Sequence, residues 1–200
     1  MSTISTARRQ IISYPLVTTL NGFALKNMLE SVQQIITTYG FCIPPEIIIF
    51  PSIFFITIFR FLIGNILHLR SLEEHKTHAI IWLYDLLMIT FESMLFILMS
   101  YFVYEHDSSF LPTLMILCIV DTLWVFSMFP HWRRKQRPEM PWAWGMINLV
   151  SFLILLAMLF AEFPFAPLSV LGRYTILAVF LVAACLDLGL DYYKIFRSTS

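Results

Sequence analysis

Charge is scarce in this chain. Of its 200 residues, 13 are lysine or arginine and 13 are aspartate or glutamate, so 13% are charged against 58% apolar. That is about half the charged share of an ordinary soluble domain. With a mean hydropathy of +0.77, water cannot be the main solvent of the folded chain. The formal net charge is zero, so no global field selects nucleic acid or an acidic partner, and no nucleic-acid binding is expected.

Cysteine is nearly absent as well. Cys42, Cys118 and Cys185 lie far apart in apolar surroundings with no CxxC spacing. They are expected to be small core residues, and neither a disulfide nor a metal site is expected. The sequence has no Gly-rich phosphate loop, nucleophile elbow or convincing nucleophile–base pair, so no cofactor is expected and no catalytic residue can be assigned. Internal duplication is also missing, which counts against an inverted-repeat transporter. The N-terminus, MSTISTARRQIISYPLVTTL, carries Arg8 and Arg9 but lacks the continuous apolar core and small-residue cleavage site of a secretory signal. The tail is expected to be kept.

Long apolar runs are what the chain does have. Residues 45–69, 79–102, 110–129, 142–160 and 168–190 each reach about twenty residues or more, enough to cross roughly 30 Å of hydrocarbon at about 1.5 Å per residue. Before them, Leu25, Met28, Leu29, Val32 and Ile36 recur at helical spacing, with Lys26, Glu30, Gln33 and Gln34 elsewhere on the wheel. This predicts an amphipathic helix over 21–38, capped by Asn21 and closed by Gly40. It would lie on the bilayer or on the spans, because a crossing would put its polar face in hydrocarbon. Pro44, Pro45 and Glu46 look like a fresh helix start, and Pro51 should bend the first span. The expected fold is an all-α polytopic membrane helix bundle of about five transmembrane helices plus an N-terminal amphipathic helix. Its parts are a tail over 1–44, the bundle over 45–193 and a C-terminal tail over 194–200.

Basic residues orient the bundle. Arg133, Arg134, Lys135 and Arg137 crowd the link after the third span, Arg70 and Lys76 follow the first, and Lys194 and Arg197 follow the fifth. The links YEHDSS and EFPFAP contain no lysine or arginine. The basic links and the C-terminus are therefore expected in the cytoplasm, and an odd number of spans would leave the N-terminal tail outside. That places Arg8, Arg9 and Lys26 on the wrong side; a re-entrant turn over 44–51 would move the tail inside. Trp132, Trp142 and Trp144 fit an interfacial belt. The basic link HWRRKQRP is a candidate for binding anionic lipid head groups, a nucleotide or a protein partner, although topology signalling suffices to explain it.

Ionisable and amide groups within the spans need an explanation, since each costs a few kcal/mol on insertion scales. Arg60, Asp85, Asp121, Asn148 and Asp187 come from five different spans. Counted back from the expected cytoplasmic ends, Arg60 and Asp121 lie about 13 Å deep, Asp85 and Asn148 about 9 Å and Asp187 about 5 Å. This predicts one polar layer in which Arg60 pairs with Asp121 first and Asp85 second, with Asn148 satisfying leftover groups. Glu92 shares a face with Asp85, and Asp191 with Asp187. Arg60 and Asn65 lie about 140° apart on the wheel, so the first span should be central. His68, Glu73, Glu74, His75 and His78 read as a solvated turn.

These residues support three functional readings. The leading one is an oligomeric channel or transporter subunit for a small ion or polar solute, with Arg60, Asn65, Asp85, Glu92, Asp121, Asn148, Asp187 and Asp191 along its pathway. An excess of carboxylates over Arg60 favours cations. The second is a membrane anchor or sensor that docks a cytoplasmic protein in a signalling or cell-defence complex. The third is an intramembrane enzyme acting on a lipid. A buried ion-pair network that only fixes helix packing is the plain structural alternative to all three.

Overall fold

In a computed structural model of the chain, residues 6–40, 42–74, 79–105, 107–134, 141–162 and 169–199 are described. They form six helices: α1 Thr6–Tyr39, α2 Pro45–Glu74, α3 Ala79–Glu105, α4 Asp107–Arg134, α5 Pro141–Glu162 and α6 Val170–Thr199. No strand occurs among the described residues. Helices α2 and α5 begin on Pro45 and Pro141, where the missing N–H would have had no intrahelical partner. Ser169 caps α6, its Oγ accepting from the Gly172 N–H at 3.0 Å. Gly40 closes α1 with φ of 63° and an N–H donated to the Ile36 carbonyl at 2.8 Å, the left-handed C-terminal stop that glycine adopts without a Cβ penalty.

Five helices are long and apolar enough to cross a membrane, over Ile47–Leu69, Ala79–Val103, Ser109–Pro130, Trp142–Phe160 and Leu171–Leu190, close to the runs expected from sequence. Their outer faces are bare hydrocarbon: Leu171 is 78% exposed, Phe160 77%, Ile80 67% and Leu123 61%. A surface of this kind is tolerated facing lipid and not facing water. The protein is an all-α integral membrane bundle.

The five spans close into a ring. Helix α2 packs on α3, α3 on α4, α4 on α5, α5 on α6 and α6 back on α2, while α1 lies outside against α3 and α2. Neighbours in the ring run antiparallel, as short links require, except α6 and α2. Two apolar clusters fill the ends. At the end bearing the links 70–78 and 135–140, Leu69, Trp82, Leu86, Ile89, Trp124 and Met128 pack with Val17 of α1. At the opposite end, Ile49, Phe50, Phe54, Phe96, Met99, Phe110 and Leu114 pack with Ala24 and Met28 of α1.

The N-terminal helix differs from the reading over 21–38. It spans 34 residues and runs through Pro15, and Asn21 is not a cap. The Asn21 amide is buried inside α1, donating to the Val17 carbonyl at 2.8 Å and to Ser93 Oγ of α3 at 3.0 Å. Ser31 Oγ reaches the Ser100 carbonyl at 3.4 Å, so α1 runs parallel to α3 along its length. It packs against the spans, as expected, but along the bundle axis and parallel to a span, where the sequence predicts a helix lying along a surface and not crossing. The physical reason is charge economy: between Arg9 and Glu46 the charged residues are Lys26 and Glu30 alone, and these pair one helical turn apart at 3.6 Å.

A polar layer enclosed by the ring of spans

Hydroxyl groups and charged groups behave differently inside this bundle. Thr57, Thr90, Thr113 and Thr122 donate to the backbone carbonyl four residues earlier at 2.6–2.8 Å, which satisfies them within their own helix. The amides and ionisable groups of the five spans find their partners on other helices. They reach between helices, and most of them meet at the centre of the ring.

Arg60 of α2 anchors this meeting point and is 3% exposed. Its Nε forms a salt bridge with Asp187 Oδ2 of α6, and its Nη2 donates to Asn148 Oδ1 of α5. Asn148 Nδ2 in turn donates to Asp121 Oδ2 of α4. From α3, Glu92 Oε2 accepts from Asn65 Nδ2 of α2 at 3.0 Å, and the Glu92 and Asp121 side chains stand within hydrogen-bonding reach of each other. Arg60, Asn65, Glu92, Asp121, Asn148 and Asp187 are all buried, and every helix of the ring contributes at least one of them.

The expected ion pairing is corrected in two respects. Arg60 pairs with Asp187, whereas Asp121 is reached through Asn148. Depth along a helix, which favoured Asp121, does not determine azimuth. Helix α2 packs directly on α6, while α4 faces it across the ring. The second correction concerns Asp85, which is not part of the central layer. Its Oδ1 accepts from the Trp124 indole N–H at 2.8 Å and its Oδ2 lies 3.4 Å from His68 Nε2. This is a separate cluster nearer the basic links, and Glu92 is the residue that α3 supplies to the centre. Seven residues separate Asp85 from Glu92 on one face, so both point inward at different depths.

The second cluster has no counterpart in the polar layer expected from the sequence. His68, read as part of a solvated turn, is inside α2 with a side chain 11% exposed, and its ring stands edge-on to Trp124 with centroids 5.1 Å apart. A sequence signal for it existed: at 100° per residue, His68 falls between Arg60 and Asn65 on the α2 wheel. Trp144 is likewise no interfacial anchor. It packs between Phe61 and Trp124, with centroid distances of 6.2 Å to each, and against Gly64, where a Cβ would come within 2.8 Å of its ring. Trp142, 51% exposed, retains the expected placement at a span end. Of the cysteines, Cys118 is a core residue as expected, while Cys42 and Cys185 are exposed. No group of three or more metal-capable side chains occurs among the described residues. The Asp191, Trp132, Arg133 and Arg134 side chains, and Lys135, Arg137, His75 and His78, lie outside the described residues.

Both ends of the central layer are closed by aromatic side chains. On the side away from the basic links, Phe54 packs edge-on to Phe96 at 6.1 Å and Phe50 packs on Phe110 at 5.0 Å, while Phe61, level with the layer, bridges Phe96 and Trp144. Towards the basic links stand Trp124, Trp144 and the partly exposed His68. The layer is thus enclosed within one chain and needs no second copy to complete it. Compared with protein-family models, curated proteins and solved structures, the chain matches none.

Proposed function

We propose that the chain moves a small cation, the proton included, along a path through the polar layer inside a single five-span ring. The observation that carries this reading is an imbalance: Arg60 faces the carboxyl groups of Asp187, Asp121 and Glu92 in one buried layer. A layer that served only to lock helix packing would be expected to balance its charges, because an uncompensated buried charge costs several kcal/mol. Cations that enter and leave would supply the balance. The aromatic closures on both sides correspond to an occluded condition of such a path, not to an open pore.

Purified protein in sealed vesicles tests the reading. With a potassium diffusion potential imposed, wild-type vesicles should take up protons or a monovalent cation faster than protein-free vesicles. Asp121→Asn and Glu92→Gln should lose that flux while remaining monodisperse. Wild-type flux equal to that of empty vesicles for protons, sodium and potassium alike would end the proposal.

A further inference from the structure

The central layer contains polar atoms whose hydrogen-bonding capacity the described residues leave unused. Glu92 Oε1, Asp121 Oδ1, Asn65 Oδ1 and Arg60 Nη1 are buried with no hydrogen-bond partner among the described residues. Three of these are acceptors, and the two carboxyl groups stand within hydrogen-bonding reach of each other. Ionised carboxylates are acceptors only, so such a contact holds together only if one proton lies between them, covalently bound to one oxygen and accepted by the other.

We infer that Glu92 and Asp121 form a proton-binding site, one carboxyl holding the proton and the other accepting it, loaded from the end of the bundle that carries the basic links. This rests on the cation-pathway reading above and names the cation. Every element facing the pair supports a proton over a metal ion. From α2 come the Arg60 guanidinium, which repels a metal cation, and the Asn65 amide. Asn148 comes from α5, Asp187 from α6 and the Cys118 thiol from α4 itself, while on α1 the Asn21 amide is engaged by Val17 and Ser93. Hard metal cations take about six to eight oxygen ligands, and the unused acceptors here are Glu92 Oε1, Asp121 Oδ1 and Asn65 Oδ1. A proton needs two oxygens.

Access is asymmetric. Away from the basic links, the layer meets Phe50, Phe54, Phe96 and Phe110, all buried, whose rings offer a proton no acceptor. Towards the links, His68 lies one helical turn beyond Asn65 and is partly exposed beside Asp85. An imidazole can take a proton on one ring nitrogen and release one from the other. Asp85 compensates the transient imidazolium, and the proton released from the second ring nitrogen is the one that goes on to the Glu92 carboxylate while the imidazole returns to its neutral form.

Infrared spectroscopy of the purified, lipid-reconstituted protein at neutral pH tests this without requiring transport. The wild type should show the carbonyl band of a protonated carboxylic acid. Glu92→Gln and Asp121→Asn should each abolish it, and Asp85→Asn should leave it. If one of the two central variants does not fold, the other carries the same comparison. In heavy water the band should shift as the proton exchanges. His68→Phe should slow that shift on the order of a hundredfold, the low end of what a positioned proton-transfer group contributes, while leaving the band itself. A wild type without the band, or a band that survives both central substitutions, overturns the site. Unchanged exchange in His68→Phe overturns the entry route. Vesicles that pass no cation alongside a band lost in Glu92→Gln would remove the transport reading and leave the proton site standing; cation flux without the band would do the reverse.

Discussion

Removing the charge of Arg60 should cost more than removing that of Asp187, although the two form one salt bridge. Arg60→Gln deletes the cation that faces three carboxyl groups and breaks bonds to both Asp187 and Asn148. A buried charge left without its partner costs about 3–5 kcal/mol. The neutral Asn148 contact adds little, since hydrogen bonds within membrane bundles average about 0.6 kcal/mol. Asp187→Asn keeps an amide oxygen able to accept from Arg60 Nε, and Arg60 retains Asn148 and, through it, the field of Asp121. Its cost should therefore fall near the 1–3 kcal/mol of a weakened charged hydrogen bond. The pair Arg60→Gln with Asp187→Asn should recover part of the loss, with a coupling of about 1–3 kcal/mol. The assay is reversible unfolding in mixed micelles, followed by tryptophan fluorescence, for the wild type, both single variants and the double variant. Single-variant effects that add to within about 0.5 kcal/mol, or Asp187→Asn costing as much as Arg60→Gln, would refute this account of the layer's charge.

Three further outcomes follow from the packing. Gly64→Ala places a Cβ 2.8 Å from the Trp144 ring, and Gly145→Ala places one 2.7 Å from Val125 Cγ1. Each should destabilise by about 1–3 kcal/mol through overpacking, and Val125→Ala should restore much of the loss in the second case but not the first, as read by melting temperature. Trp124→Phe removes the donor to Asp85 Oδ1; leaving that buried oxygen unsatisfied should cost about 1–3 kcal/mol in the same unfolding assay. Because α1 runs parallel to α3 and places Val17 beside Leu69 and Trp82, tags at the two termini should be reached by a membrane-impermeant protease from the same side of a vesicle. Opposite sidedness would show that α1 does not cross with the bundle.

Composition and periodicity alone determined that this is a helical membrane protein and nearly where each span begins and ends, because hydrocarbon thickness imposes a length and an apolarity that can be counted along the chain. They also marked the polar residues that matter, since an amide or charge within an apolar run is conspicuous wherever it points. What they could not determine was which of these residues meet. Depth alone matches Arg60 to Asp121, whereas packing order around the ring sets the azimuths and hands it to Asp187. Asp85 and Glu92 share one helical stripe, and only the heights of their partners on α2 and α4 divide them between two clusters. The course of α1 was hidden for a similar reason: its Asn21 reads as a cap in isolation and becomes an interhelical contact only when Ser93 stands beside it. Depth is a one-dimensional quantity and can be read from the chain, but rotation about each helix axis is settled by the neighbours.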